Sequence, residues 1–243
     1  RDYYGCSYGK YQLEFIPVKK ISFAEEAENI TDVSSLHVDY VKKFNLQDEI
    51  RLAKYWLKLN HLYGAESYIG GLSGHVTEIL VIHAGSFEKF IELCKGFKSG
   101  MVIDPLNYYN PKLIKFHLNE SKLTDLVVVD PNDKNRNAAA GLNSKQFKNL
   151  IKCAKNFKGE FKDIFNLIEK KYFMINFPLN ELNDKIGCKI ISRLNGLEKS
   201  LLDFGVNNYF WKYDGKNFKV KFQFKKLLRS KSYDLIGPPV SML

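Results

Sequence analysis

The sequence predicts an α+β fold, and three patterns support this prediction. Residues 11–16, YQLEFI, alternate as in a strand, which ends where Pro17 has no N–H to donate to a neighbouring strand. From about residue 35 to residue 96, the apolar residues recur at helical spacing. Near the end of the sequence, VNNYFWKY and NFKVKFQF flank Asp214-Gly215 and predict an antiparallel hairpin.

Three amphipathic helices are predicted in the middle of the chain. Their inward faces are, in order, Ile50, Ala53 and Leu57; Leu72, Val76, Ile79, Leu80 and His83; and Phe87, Phe90, Ile91 and Cys94. Gly70-Gly71 precedes the second of these helices. Ser73 and Ser86 are the predicted N-caps of the second and third, because a serine hydroxyl can accept a hydrogen bond from a free amide of the first turn.

The second half of the chain alternates strands and helices. The apolar run at 127–129 predicts a short buried strand that ends at Asp130-Pro131, and the string DPNDKNRNAAA predicts a polar loop after it. A helix is predicted after Ser144. A strand over 172–177 and a long amphipathic helix over 186–201 are expected before the terminal hairpin.

The composition is that of a folded, basic protein. Hydrophobic residues make up 45% of the 243 residues, and the formal net charge of +10 favours a polyanionic partner such as nucleic acid. The four cysteines, Cys6, Cys94, Cys153 and Cys188, lie far apart, which argues against a zinc knuckle or a disulfide framework and fits a reducing cytosol. No apolar run approaches the length of a membrane span.

Several polar residues are candidates for chemistry on the residues alone. Glu14 lies within an otherwise apolar strand, His37 follows a serine pair, and Lys54 belongs to a basic stripe on one helix. Arg136 lies in the predicted polar loop, where the nearby Asp130 and Asp133 could orient its guanidinium by bidentate pairing. Phosphoryl transfer needs such carboxylates and cations. Each residue is also typical of an ordinary exposed or capping position, so the residues alone indicate a basic protein that binds nucleic acid.

Two runs of basic residues suggest contacts with phosphate groups. On the helix after Ser144, lysines recur at i, i+3, i+7 and i+10, and a second run lies near the end of the sequence. The runs are Lys145, Lys148, Lys152 and Lys155, and Lys225, Lys226, Arg229 and Lys231. Either a phosphate-binding face or an ordinary solvated face explains them.

Seven strings, read in order, resemble one family. They are EFIPVKKI (14–21), SSLHVDYV (34–41), DEIRLAKYWLK (48–58), LYGAE (62–66), GGLSGHVTEILVIHAGSF (70–87), VVDPNDKNRNAAAGLN (128–143) and GPPV (237–240). The family is the archaeal-type, class I CCA-adding enzyme, a tRNA nucleotidyltransferase. The resemblance is collinear over nearly the whole chain, and the strings around Tyr63, Ser73-Gly74 and Arg136 are the most specific.

The resemblance implies a fold and an activity. Such enzymes have a catalytic head, a helical neck, a body and a tail, and they add C, C and A to tRNA 3′ ends without a nucleic-acid template. It implies that residues 1–40 are the edge of the head sheet, residues 41–158 the helical neck and substrate-binding domain, and residues 159–243 part of a tRNA-binding body and tail. We expect truncation at both ends. Two head carboxylates would then be missing, and the chain alone should not catalyse.

The resemblance also implies site residues and ligands. Glu14 matches a third catalytic, metal-binding carboxylate, which is usually an aspartate in the family. The residues that match positions near the nucleotide or its triphosphate are Ser34, His37, Lys54 and Tyr63. Arg136 matches an arginine that helps select C or A. Predicted RNA contacts are Ser73, Gly74, Lys145, Lys148, Lys152, Lys225, Lys226 and Arg229. The expected cofactor is Mg²⁺, the substrates are ATP and CTP, and the partner is the acceptor stem of tRNA. A second copy of the chain is a further candidate partner, and a cytoplasmic location is expected.

Three interpretations remain at this point. The chain is either part of a CCA-adding enzyme or a module that grips tRNA acceptor stems without chemistry. Within the same superfamily, a poly(A)-polymerase-like product is a third interpretation.

Overall fold

The computed structural model describes residues 4–9, 11–29, 31–110, 123–159, 172–202 and 205–224. The chain divides into two compact units, unit 1 over residues 1–165 and unit 2 over residues 166–243. Both units combine helices with small sheets, so the predicted α+β class is confirmed. The finer division at residues 40 and 158 stays a prediction.

The described elements are numbered here in chain order. Unit 1 contains β1 (Tyr4–Tyr8), β2 (Tyr11–Phe15), α1 (Ser34–Lys42), α2 (Gln47–Leu59), α3 (Gly74–Ala84), α4 (Phe87–Lys95), β3 (Met101–Ile103), β4 (Leu126–Asp130), β5 (Asp133–Asn137) and α5 (Ser144–Asn156). Unit 2 contains β6 (Tyr172–Pro178), α6 (Asp184–Ser200), β7 (Val206–Tyr213) and β8 (Asn217–Phe224).

The first two strands form an antiparallel hairpin. Its register runs from the pair Tyr4 and Phe15 to the pair Tyr8 and Tyr11. β2 confirms the strand predicted from the alternation of YQLEFI. Where burial is described, the side chains of both strands are exposed, and Tyr8 is 75% exposed. The hairpin therefore contributes little to the core of unit 1.

Helices α2, α3 and α4 pack against one another and supply much of the core of unit 1. The predicted apolar faces of α2 and α4 are buried. Ser73 and Ser86 are confirmed as N-caps, because their hydroxyl oxygens accept hydrogen bonds from the amides of Val76 and Lys89. The apolar periodicity and the caps together set the positions of these helices.

The expected inward face of α3 is wrong at one residue. His83 is exposed, whereas Thr77, Val81 and Ile82 are buried although the spacing does not place them inward. α3 packs against α1, α2 and α4 and is apolar over most of its circumference. In such a helix, the spacing of apolar residues does not reveal the inward direction.

A three-stranded sheet lies after α4, with β4 between β3 and β5. β4 is parallel to β3 and antiparallel to β5, and all five of its residues are buried. The run at 127–129 is thus confirmed as a buried strand, typical of a strand covered on both faces.

The prediction of a polar loop around Arg136 is wrong, because these residues form strand β5. Asp130 and Asp133 pair across a tight turn, which brings β5 back along β4. The Asn137 side-chain oxygen accepts hydrogen bonds from the amides of Val128 and Ala139, both at 2.9 Å. Side-chain hydrogen bonding replaces apolar alternation here, so the polar sequence carries no strand pattern.

Helix α5 starts at Ser144, as predicted. Phe147, Leu150 and Ala154 are buried, and the helix packs against α4. Lys145, Lys148, Lys152 and Lys155 are exposed on its outer side. The separation into an apolar face and a lysine face is therefore confirmed.

Unit 2 is an antiparallel sheet in the order β6, β8, β7, with α6 as its helix. The predicted strand, long helix and hairpin are confirmed. Phe218, Val220 and Phe222 of β8 are fully buried, and Leu194 of α6 belongs to the same core. Alternation along β8 places its lysines on the other side of the sheet.

The described residues include no helix with the length and apolar character that a membrane crossing requires. All four cysteines are free thiols.

A close backbone approach joins the end of α2 to the start of α3. The amides of Gly71 and Leu72 donate to the carbonyls of Gly64 and Leu62 at 2.7 and 2.8 Å. A β-carbon on Gly71 would lie 2.3 Å from the Leu62 oxygen. Only glycine allows this approach, which holds Tyr63 beside the N-terminus of α3.

We expect Gly71→Ala to lower the free energy of unfolding by about 1–3 kcal/mol, because the new methyl group overlaps a backbone carbonyl that cannot move freely. Urea unfolding of unit 1 measures this change. Gly96→Ala is the matched control, since a β-carbon there meets its nearest atom at an ordinary 3.5 Å, and we expect a change below about 0.5 kcal/mol. Equal losses in both variants would contradict the close approach.

Candidate functional site

Asp130 is the centre of the most polar part of unit 1. It ends β4, and its side chain is completely buried. The Oδ2 atom accepts hydrogen bonds from Arg136 Nη1 at 3.0 Å and interacts with His75 Nε2 at 3.1 Å, and Oδ1 accepts one from the amide of Asn132 at 2.9 Å. A buried carboxylate is stable only when it is paired in this way.

Two histidines approach the same carboxylate from two helices. His37 Nε2, on α1, lies 3.5 Å from Asp130 Oδ2, too far for a good hydrogen bond. The His37 and His75 rings stack with their centroids 3.5 Å apart and their planes at 18°. His37 Nε2 is buried and has no hydrogen-bond partner among the described residues.

The positive surroundings determine the protonation of Asp130. Burial opposes ionisation, but the interactions with His37 and His75 outweigh it, and the pKa of Asp130 lies well below its usual value. Burial also lowers the pKa of His75, but the hydrogen bond to Asp130 and the interaction with Glu78 raise it by more, so the net pKa is above 6.5. The carboxylate is therefore ionised and favours a protonated His75.

A second ion pair joins this group through Glu78 on α3. Lys54 Nζ, on α2, donates to Glu78 Oε1 at 2.6 Å, and Glu78 Oε2 lies 3.8 Å from His75 Nδ1. Burial opposes ionisation of Glu78, but His75 and Lys54 lower its pKa below the usual value. Lys54, Glu78, His75, Asp130 and Arg136 thus form a continuous chain of charged groups, called here the ionic network.

The N-terminus of α3 adds a place for an anion. A β-carbon on Gly74, the first residue of α3, would lie 2.9 Å from the Tyr63 hydroxyl oxygen and 3.7 Å from Lys54 Nζ. Glycine therefore lets both side chains approach the helix end. Free amides at a helix N-terminus, an ammonium group and a phenol hydroxyl are donors suited to phosphate oxygens.

A cavity of about 270 Å³ opens at the other end of the ionic network. Its wall includes His37, Asp130, Asp133 and Arg136, together with four residues before α1, which are Ala24, Ala27, Glu28 and Asn29. Arg136 keeps 31% of its side chain exposed, so part of its guanidinium is available to a ligand. A larger, more open depression of about 640 Å³ lies near Asn143 and Ser144 and contains none of the predicted nucleotide contacts.

The structure brings some of the predicted residues together and leaves others apart. His37, Lys54, Tyr63 and Arg136 all lie at the ionic network or against it. Ser34 is exposed at the start of α1, one turn before His37. Ser73 uses its hydroxyl oxygen to cap α3. Lys225, Lys226 and Arg229 lie outside the described residues, as does the GPPV string.

Glu14 is separate from this group. It is exposed on β2, where its cross-strand partner is Gly5. Mg²⁺ requires a near-octahedral set of oxygen ligands, of which Glu14 offers one carboxylate. The described residues around Glu14 therefore do not by themselves form a Mg²⁺ site, and its role as a metal ligand stays a prediction.

Another group of three possible ligands contains different residues. His37, His75 and Asp130 each offer one donor atom, and the three atoms lie within 4.8 Å of one another. Two imidazoles and a carboxylate suit a transition metal better than Mg²⁺. However, nearly parallel rings do not direct their lone pairs to one point, and both Asp130 oxygens already accept hydrogen bonds. The arrangement is that of an ion-pair centre.

Sequence reasoning missed His75 and Glu78 and saw Asp130 only as a possible partner of Arg136. That pairing is present through one hydrogen bond rather than two. The signal that could have identified His75 and Glu78 is their spacing of three residues within the mainly apolar string GHVTEILV. Polar residues at i and i+3 share one face of a helix, and a buried helix keeps them only if they have partners.

Comparison with known proteins identifies relatives. The family model described as "tRNA nucleotidyltransferase, second domain" matches residues 48–166. CCA-adding enzymes from two archaea match most of the chain. The enzyme of Nanoarchaeum equitans is 35% identical over 234 residues, which are 87% of this chain and 59% of that enzyme. The enzyme of Methanocaldococcus jannaschii is 30% identical over 229 residues, which are 86% of this chain and 49% of that enzyme. The Pyrococcus abyssi enzyme is 36% identical over 149 residues, which are 58% of this chain and 33% of that enzyme.

The chain thus spans between one third and three fifths of the curated relatives that it matches here. The matched region includes the ionic network, and the similarity extends over nearly the whole chain in two of these enzymes. The chain is similar over most of its length to archaeal CCA-adding enzymes, and residues 48–166 match the second domain of tRNA nucleotidyltransferases.

Proposed function

We propose that this chain serves the template-independent addition of C, C and A to tRNA 3′ ends, with CTP and ATP as substrates and Mg²⁺ as the metal. One observation carries the proposal. The side chains that family resemblance assigns to the nucleotide, His37, Lys54, Tyr63 and Arg136, come from four separate segments and meet at one ionic network. Surface charges with no shared role would not require this convergence.

The geometry favours a different role for each end of the ionic network. Lys54 and Tyr63 meet at the N-terminus of α3, where helix amides, an ammonium group and a hydroxyl favour the triphosphate and the leaving pyrophosphate. Arg136 lies at the cavity end, where the rigid donor fork of guanidinium suits the acceptor edge of a base. His37 lies beside Asp130, and Ser34 lies one helical turn before it.

The proposed RNA surface is basic. Lys145, Lys148 and Lys152 lie along about 10 Å of the outer side of α5, and Ser73 and Gly74 start α3 on the phosphate side of the network. Phosphate-led binding suits an enzyme that accepts every tRNA, because A-form stems are recognised mainly by shape and backbone. Lys225, Lys226 and Arg229, a second copy of the chain and a cytoplasmic location stay predictions.

Incorporation of labelled nucleotides tests the proposal. The chain, alone and fused to the N-terminal head of the Nanoarchaeum equitans enzyme, receives a tRNA that ends at its discriminator base, with labelled CTP and ATP. We expect the fusion to add C, C and A and the chain alone to bind tRNA without adding nucleotides. The relative's complete enzyme is the positive control. A fusion that folds and adds neither nucleotide would overturn the proposal.

A binding module without chemistry is the second candidate, and the exposed position of Glu14, apart from the ionic network among the described residues, favours it. Tight and salt-dependent tRNA binding by the chain, with no incorporation by the fusion, would establish this alternative. A Glu14→Asp fusion decides whether the substituted carboxylate is the cause. Incorporation by that variant alone would assign the loss to Glu14 and not to the rest of the site.

Arg136→Lys tests selection of the base. Lysine keeps a positive charge beside Asp130 but cannot reproduce the planar fork, so we expect discrimination against UTP and GTP to fall about tenfold or more with little change in stability. The ratio of CTP and ATP incorporation to UTP and GTP incorporation in the fusion measures this. Arg51→Lys, at an exposed site on α2 where the arginine pairs with Asp48, should leave the ratio unchanged. Unchanged discrimination between the nucleotides in Arg136→Lys would refute the role of Arg136 in selecting the base. A different outcome, addition of A alone by the unmodified fusion, would favour a poly(A)-polymerase-like product.

Removal of the lysine charges on α5 tests the RNA surface. We expect the triple change of Lys145, Lys148 and Lys152 to Gln to weaken tRNA binding and to reduce the slope of log K against log salt by about one for each lost phosphate contact. Filter binding at several salt concentrations gives both values. Changing the exposed Lys42, Lys89 and Lys98 to Gln removes the same charge elsewhere, and an equal effect of both triples would show that only net charge matters.

A further inference from the structure

The His75 ring lies between the two carboxylates of the ionic network. Nε2 is within hydrogen-bond distance of Asp130, whereas Nδ1 faces Glu78 at an ion-pair distance of 3.8 Å and makes no hydrogen bond among the described residues. We infer that His75 is a positioning residue that couples the phosphate end of the site, at Lys54, to the base end, at Arg136. The inference rests on the proposed function, since it assumes that these two cations meet the nucleotide. It concerns a histidine that neither the sequence patterns nor the family resemblance singled out.

The contacts on the two sides of His75 carry the inference. Nε2 lies 3.1 Å from Asp130 Oδ2, the atom that also accepts from Arg136, and Nδ1 lies 3.8 Å from Glu78 Oε2. The other oxygen of Glu78 holds Lys54 at 2.6 Å. One imidazole therefore lies between two ion pairs whose cations come from α2 and β5.

Sharing of the carboxylates gives His75 an effect on both cations. Each carboxylate interacts both with His75 and with one cation, so that Glu78 is shared by His75 and Lys54, and Asp130 by His75 and Arg136. Without the imidazole, Glu78 and Asp130 would turn fully toward Lys54 and Arg136 and compete with the nucleotide for them. Both carboxylates are buried enough for such competition to be strong.

Stacking on His37 fixes the orientation of the His75 ring. The rings lie 3.5 Å apart at 18°, and the His75 side chain is only 14% exposed. The charged and titratable groups that face His75 are His37 from α1, Lys54 from α2, Glu78 from α3, Asp130 from β4 and Arg136 from β5.

Two substitutions of His75 separate positioning from packing. His75→Phe keeps a ring of similar size on His37 but removes both polar contacts, whereas His75→Gln keeps one hydrogen-bonding group near Asp130. We expect His75→Phe to weaken CTP and ATP binding about tenfold, the effect of one charge-assisted hydrogen bond, and to reduce discrimination against UTP. His75→Gln should recover part of both. Calorimetric titration of the chain with each nucleotide provides these values.

His83→Phe is the matched control, because His83 is an exposed histidine on the same helix. It should leave nucleotide binding and discrimination unchanged. Loss of stability in His75→Phe with unchanged nucleotide preference would reduce His75 to a packing residue and overturn the inference.

The pH dependence of stability is a second readout. His75 has its pKa raised in the folded chain, so its stabilising contribution is complete below about pH 6.5 and is lost as the pH rises through the folded pKa. Asp130 and Glu78 have lowered pKa values and lose their contributions only at acidic pH, outside this window. Urea unfolding from pH 6 to pH 9 should show the loss in the wild-type chain and not in His75→Phe. An identical profile in both would contradict the role of His75.

A double-mutant cycle distinguishes failure of this inference from failure of the proposed function, because it needs no nucleotide. Lys54→Met and Arg136→Met are measured singly and together by urea unfolding, in the wild-type chain and in His75→Phe. We expect nonadditive changes in the first background and additive changes in the second. Additive changes in both would overturn the coupling even if CCA addition is observed. If instead the wild-type chain and the fusion bind no nucleotide, the proposed function fails while the cycle still reports the coupling.

Discussion

The burial of the Asp130 carboxylate is the constraint on which the rest of the site depends. A carboxylate at the end of a fully buried strand is stable only with donors on both oxygens, and no single element supplies them. A backbone amide from the β4–β5 turn, a guanidinium from β5 and an imidazole from α3 meet this requirement. Satisfying one buried charge therefore fixes the relative positions of α3, β4 and β5.

The same constraint explains why glycines lie where the chain approaches itself. The ionic network requires α3 to begin beside the end of α2, and Gly71 and Gly74 leave the space for the Leu62 carbonyl and the Tyr63 hydroxyl. Gly70 adopts φ +61°, which directs the chain past the Asn143 side chain at the start of α5. The close approaches at Gly70, Gly71 and Gly74 thus determine the local backbone conformation around the start of α3.

The sequence predicted those parts of the fold in which local pattern and tertiary environment agree. α2, α4, α5 and the hairpin β7–β8 each have one buried and one exposed face, so their apolar periodicity is informative. The sequence patterns predicted neither strand β5 nor the inward direction of α3, and the reasons are opposite. β5 is polar and depends on Asn137, while α3 is apolar on nearly every side. His75 and Glu78 escaped because their partners, Asp130 and Lys54, lie 55 and 24 residues away in the chain, a separation that no local pattern encodes.

Carboxylates within a site proposed for a polyphosphate need a physical reason, because they repel the ligand. Lysine and arginine side chains lose much conformational freedom when they are held in one place, and a ligand that had to order both would bind more weakly. Glu78 and Asp130 hold Lys54 and Arg136 before any ligand arrives, and His75 lies between the two carboxylates, which raise its pKa against the opposing effect of burial. In the proposed nucleotide site, Lys54 and Arg136 are thus held in place before the ligand binds, which lowers the ordering cost that the proposed binding would carry.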